Sequence, residues 1–122
     1  MILADTSVWI DHLRSENKEM RVHLSQGRIV IHPLIIAELA LGSLRDRTRT
    51  LALLDHLPQV KVAQLPEVRH LIESRRLYSL GIGVVDIQLI ASILIDPPTL
   101  LWTKDKPLRK IATTLGVHAD LP

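Results

Sequence analysis

The chain has 122 residues, no cysteine, six histidines and a formal charge of +2, from fifteen Lys and Arg against thirteen Asp and Glu. That length predicts one domain over residues 1–122, and a hydrophobic fraction of 47% is ample to fill its core. Without cysteine there are no disulfides, thiolate metal sites or thiol nucleophiles. The N-terminus lacks a signal peptide's basic and long apolar regions, and His32, Pro33 and Glu38 break the longest apolar tract, so the expectation is a soluble cytoplasmic protein with no membrane span.

In chain order, Ile2 to Ala4 reads as a strand and Thr6 to Leu13 as a short helix. Asn17 caps a second helix, to Gln26, stopped by Gly27. Ile29 to Ile31 is a short β-branched strand, and Pro33 suits the first position of a helix that reaches Leu41 and stops at Gly42. Asp46 to His56 is helical by its leucine spacing, Val60 to Val62 reads as an additional strand, and Pro66 to Leu80 as a helix with a strongly polar face. After Gly81 and Gly83, Val84 to Ile95 carries Ile87, Ile90, Ala91 and Leu94 at i, i+3, i+4, i+7. Thr99 to Trp102 reads as a strand, and Lys106-Pro107 starts a last helix closed by Gly116. Short apolar strands alternating with helices predict a parallel sheet covered on both faces.

Four carboxylates stand in unusual places. Asp5 and Asp105 each follow a strand and precede a helix, where a helix cap and a ligand at the carboxyl edge of an α/β sheet are both natural readings. Glu38 interrupts an otherwise apolar helix, where a lone carboxylate costs several kcal/mol unless a cation or hydrogen bonds compensate it, so an arginine partner and a metal are both natural readings. Asp86 lies in the first turn of an apolar helix, which the helix dipole favours in any case. Together they form one pattern, because all four could reach the same sheet edge. Two carboxylates at ~4 Å repel by ~4 kcal/mol at an effective dielectric of 20, so such a group needs a counter-ion. Oxygen ligands alone select a hard cation, Mg²⁺ or Mn²⁺.

The stretches LADTSVWID, Glu38 in its helix, GIGVVDIQLIAS and LLWTKDKPL, in that order and covering essentially the whole chain, resemble the PIN-domain ribonucleases, specifically the VapC toxins of bacterial toxin–antitoxin pairs. The resemblance implies an α/β fold of three layers, helices on either side of a small, mostly parallel sheet. It implies Asp5, Glu38, Asp86 and Asp105 as the catalytic and metal-binding acids, with Thr6, Ser7 and Thr103 as supporting hydroxyls. It implies endonucleolytic RNA cleavage with Mg²⁺ or Mn²⁺, a homodimer, and inhibition by a VapB-type antitoxin. Lys106 departs from the family pattern, in which an acid or Asn often follows the last Asp.

Were four of the thirteen acids engaged with a cation, the rest of the surface would carry +6, which suits a polyanion. With no Phe and only Trp9, Trp102 and Tyr78 as aromatics, RNA would be held chiefly by its phosphates. Lys104, Lys106, Arg109 and Lys110 adjoin Asp105 and are the expected RNA contacts, ahead of Arg45, Arg47 and Arg49. The histidines lack zinc spacing. Two other readings use the same acids: an aspartate-based phosphatase or phosphoacceptor domain, with Thr103 and Lys104 beside the nucleophile, and a non-catalytic pocket for a basic partner.

Overall fold

A computed structural model describes residues 1–122. Strands β1 (Ile2–Ala4), β2 (Ile29–Val30) and β3 (Leu100–Trp102) form one parallel sheet in the order β2-β1-β3, with Leu3 opposite Val30 on one side and Leu101 on the other. The helices are α1 (Thr6–Ser15), α2 (Lys18–Ser25), α3 (Pro33–Ala40), α4 (Arg47–Asp55), α5 (Leu65–Ser74), α6 (Val84–Leu94) and α7 (Lys106–Thr114). Neighbouring residues on a strand point to opposite faces, yet Leu3 and Ala4, like Leu101 and Trp102, are wholly buried. Helices therefore cover both faces, as expected of three layers.

The order β2-β1-β3 positions the site. From β1 the chain crosses to β2 on one side, and through α3 to α6 it returns to β3 on the other. Such a reversal opens a crevice beyond the carboxyl ends of the two strands where it occurs. Asp5 is the first residue past β1, and its N–H still continues the ladder to Trp102 O at 3.0 Å.

Two expectations need correction. Val60 to Val62 is not a strand: the segment makes a single bridge, Gln59 with Ile31. Val60 N still donates to Ile31 O at 3.0 Å, but the next amide, Lys61 N, turns to Asp96 Oδ2 at 2.8 Å and Ala63 N, just beyond the segment, to Ser92 Oγ at 3.0 Å, so the pairing stops after that bridge.

Helix α5 stops at Ser74 rather than Leu80. Leu77 N bonds Ile72 O and Arg76 N bonds Glu73 O, with Arg76 at φ 53°, which is the Schellman ending of a helix. Gly27 and Gly116 end α2 and α7 in the same way. At α5 an arginine holds the left-handed position that glycine usually occupies, so no glycine marks the stop.

Candidate active site

Asp5 is the best-held side chain of the crevice. It caps α1, with Oδ1 accepting from Val8 N at 3.2 Å and from the Ser7 hydroxyl. Its Oδ2 accepts from the Thr103 hydroxyl, brought alongside by the pairing of β1 with β3. These two hydroxyls are themselves fixed by backbone, since Lys104 N donates to Ser7 Oγ at 3.1 Å and Asp105 N to Thr103 Oγ1 at 3.0 Å. Burial pushes the Asp5 carboxyl above its ordinary range, against the pull of the bonds from Ser7, Thr103 and Val8.

Asp105 caps α7 through Leu108 N at 3.0 Å, and its carboxylate is exposed. Glu38 is exposed too, so the cost expected for burying it in an apolar helix does not arise: α3 leaves Pro33, Ala37 and Glu38 to solvent. Glu38 is tied instead to the residue after Asp5, because Thr6 Oγ1 donates to Glu38 Oε1 at 2.6 Å.

Asp86, half-buried in the first turn of α6, has its carboxyl pushed up to about 6 by burial and by the negative charges of Asp105, Asp5 and Glu38. The four acids thus share one electrostatic neighbourhood. None has a cationic partner: the ion pairs join Arg21 to Glu16, His23 to Glu19 and Lys104 to Asp11. As the side chains stand, no three acids or histidines close around a single point. Carboxylates that lack cationic partners and do not close into a cage fit a hard cation that keeps several waters and uses few direct carboxylates, and do not fit one that needs a closed protein cage.

The basic residues beside Asp105 divide by position. Lys106 and Lys110 are exposed and unpaired, whereas Lys104 lies 3.2 Å from Asp11 Oδ2. Arg109 is half-buried and donates from Nη2 to Thr103 O at 3.0 Å, bracing the strand end that holds Asp5. With Lys104 drawn to Asp11, and both Asp5 oxygens accepting hydrogen bonds, the lysine-assisted aspartyl nucleophile of a phosphoacceptor is not assembled. Sequence reasoning passed over Arg14 and treated Arg45 as secondary. Both line a cleft of about 590 Å³ that includes Glu38, formed by α1 and the turn after α3. No local motif marks them, because the turn at Gly42 to Asp46 alone brings Arg45 back toward α1.

The PIN domain profile matches residues 2–113. The chain belongs to the PIN-domain family. Ribonuclease VapC32 of Mycobacterium tuberculosis, from strain CDC 1551 / Oshkosh and from strain ATCC 25618 / H37Rv, is 43% identical to it over 117 residues, 96% of this chain and 94% of the relative. The protein is therefore a VapC homologue within that family. The α/β fold with its parallel sheet agrees with this membership, and no helix is long and apolar enough to cross a membrane.

Proposed function

We propose that this PIN-domain protein is an endoribonuclease, the toxin of a VapBC-type toxin–antitoxin pair, acting in the cytoplasm as one domain over residues 1–122. Asp5, Glu38, Asp86 and Asp105 hold Mg²⁺ or Mn²⁺ in this reading, a VapB-type antitoxin restrains the enzyme, and the active form is a homodimer. The observation that carries it is the placing of Asp5 and Asp105 just past the carboxyl ends of the adjacent strands β1 and β3, with Glu38 tied to Thr6, Asp86 close enough to feel the charge of all three, and no Lys, Arg or His paired with any of the four. The 43% identity to a protein named a ribonuclease supports the choice of RNA as substrate.

A divalent cation at such a site supplies an acidified water and offsets charge that builds on the phosphoryl oxygens. The chain's own residues set where that happens. Ser7 and Thr103 pin the two oxygens of Asp5, so it presents one fixed orientation. The Thr6 hydroxyl, on the residue after Asp5, restrains the long Glu38 side chain beside it. Asp86 and Asp105 complete the negative surface, while Lys106 and Lys110 lie on the approach for the phosphates of RNA. Lys104 and Arg109, engaged with Asp11 and Thr103, keep the strand end in shape.

The test is incubation of the purified protein with mixed cellular RNA in Mg²⁺, in Mn²⁺ and in excess chelator, with mapping of the cut ends. Discrete cuts are expected only with metal. Asp5→Asn or Asp86→Asn should lower the rate by about 10³, equivalent to several kcal/mol of lost charge stabilisation. Undiminished cleavage in chelator would reject the reading.

A further inference from the structure

On the α7 side of the acids lies a groove of which only Lys106 and Lys110 belong to the RNA approach already described. It runs between α7 and the turn that follows α5, and encloses about 700 Å³, within the ~300–1,000 Å³ usual for organic ligand sites. Four cations rim it, Arg75, Arg76, Lys106 and Lys110, and no acidic side chain lines it. All four are exposed and none is in an ion pair. Its floor is apolar, with Leu80, Ile82 and Ile111 among the contributors.

The Schellman ending of α5 puts two of these charges in place. With Arg76 in the left-handed region, the chain turns off the helix axis, and Leu77, Leu80 and Ile82 are laid toward α7. On the facing wall, Lys106 and Lys110 are one helical turn apart, about 6 Å along the axis, a spacing that suits successive phosphates of an extended strand. Both walls run directly into the acid site: Lys106 follows Asp105, and Ile82 shortly precedes Asp86 in the chain.

We propose that this groove binds the single-stranded RNA segment adjoining the scissile phosphate, its phosphates on Arg75, Arg76, Lys106 and Lys110 and a base against the apolar floor. The proposal rests on the ribonuclease reading and extends it by giving the strand a path. Charge selects the occupant's class, because four unpaired cations around an apolar floor match alternating phosphates and bases. Continuity with the acids selects RNA over an acidic protein segment, because whatever lies in the groove meets the reacting phosphate at Asp105. With no aromatic side chain in the lining, bases are held by shape and burial rather than by stacking.

The experiment compares the full-length protein with Arg75→Gln/Arg76→Gln/Lys110→Gln, with Leu80→Gln, and with the remote control Lys18→Gln/Arg28→Gln. Binding of a fluorescein-labelled mixed-sequence single-stranded oligoribonucleotide is read by anisotropy in EDTA across a salt series, and cleavage is measured in Mg²⁺. The triple variant should raise the Kd about tenfold and reduce the salt slope by about 2, three cations at about 0.7 each. It should raise KM more than it lowers kcat, and the control should do neither. Leu80→Gln should weaken binding with the salt slope unchanged, which separates the floor from the charges. If the wild type cuts RNA and the triple variant binds it equally well, the groove assignment fails while the ribonuclease reading stands. If the wild type neither binds nor cuts RNA with either metal, both fail. Lost binding of a labelled poly-glutamate peptide with RNA binding intact would give the groove to an acidic protein segment. A triple variant monomeric by sedimentation where the wild type is dimeric would give it to a second copy.

Discussion

The Thr103 hydroxyl donates to the Asp5 carboxylate across 98 positions of the chain, joining the ends of two adjacent strands at the floor of the acid site. The same oxygen accepts from Asp105 N, so one wholly buried hydroxyl orients two of the four acids.

Thr103→Val keeps the shape of this side chain and removes the hydroxyl. It leaves a buried carboxylate oxygen and an amide without their partner, which should cost about 1–3 kcal/mol of stability. Cleavage should fall about 10–100-fold, as for other groups that orient ligands without touching the metal. Thr103→Ser should restore most of the activity. Denaturant melts and cleavage rates of the two variants check this, and a Val variant as active as wild type would contradict the role.

Asp86 makes the metal-free fold sensitive to pH in an unusual direction. Its carboxyl titrates near about 6 in the folded protein against 3.8 as the ordinary value, so between these values the folded state binds the extra proton. Its contribution to stability is therefore present at low pH and is lost as pH rises through about 6. Asp5, raised as well, adds to the same trend. At about 1.4 kcal/mol per unit, discounted for solvent screening at a half-exposed group, the Asp86 effect is about 1 kcal/mol. In EDTA at pH 7, Asp86→Asn should raise Tm by about 4 °C and flatten its dependence on pH between about 4 and 6. Mg²⁺ or Mn²⁺ should raise the wild-type Tm and leave that of the variant unmoved.

Arg76 ends α5 at φ 53°, where a side chain is strained by about 1 kcal/mol relative to glycine. Arg76→Gly should therefore raise Tm by about 4 °C while weakening RNA binding. Thermal melts and anisotropy on one sample separate the two effects. A variant that loses stability would show that Arg76 makes contacts beyond its charge.

These outcomes turn on features that were unequally visible in the sequence. The acids could be picked out because Asp5 and Asp105 follow short apolar runs and Asp86 opens an apolar helix, so their chain positions announce a sheet edge. Glu38 was singled out for a poor reason. The apolar residues around it suggested burial, whereas α3 lies at the surface and Glu38 is held by Thr6. The end of α5 was hidden because the polar pattern of Glu67, Arg69, Glu73, Arg75 and Arg76 runs past the stop, and an arginine sits where a glycine would have signalled it. Val60 to Val62 has the composition of a strand, but Asp96, thirty-five residues away in sequence, takes the Lys61 amide, and Ser92 takes that of Ala63 just beyond, so pairing with Ile31 goes no further. Arg109 looked like its basic neighbours, and only the folded geometry turns it inward to Thr103 O.

Because Asp5 depends on Thr103, and Ser7 on the amide of Lys104, the floor of the acid site is shared between segments near the two ends of the chain, made far apart in time on the ribosome. A nascent chain that carries Asp5, Glu38 and even Asp86 still lacks the strand that holds them in register. On the ribonuclease reading, a chain that stops before Thr103 is expected to cut no RNA, and activity to begin only once the segment through Asp105 has packed onto β1.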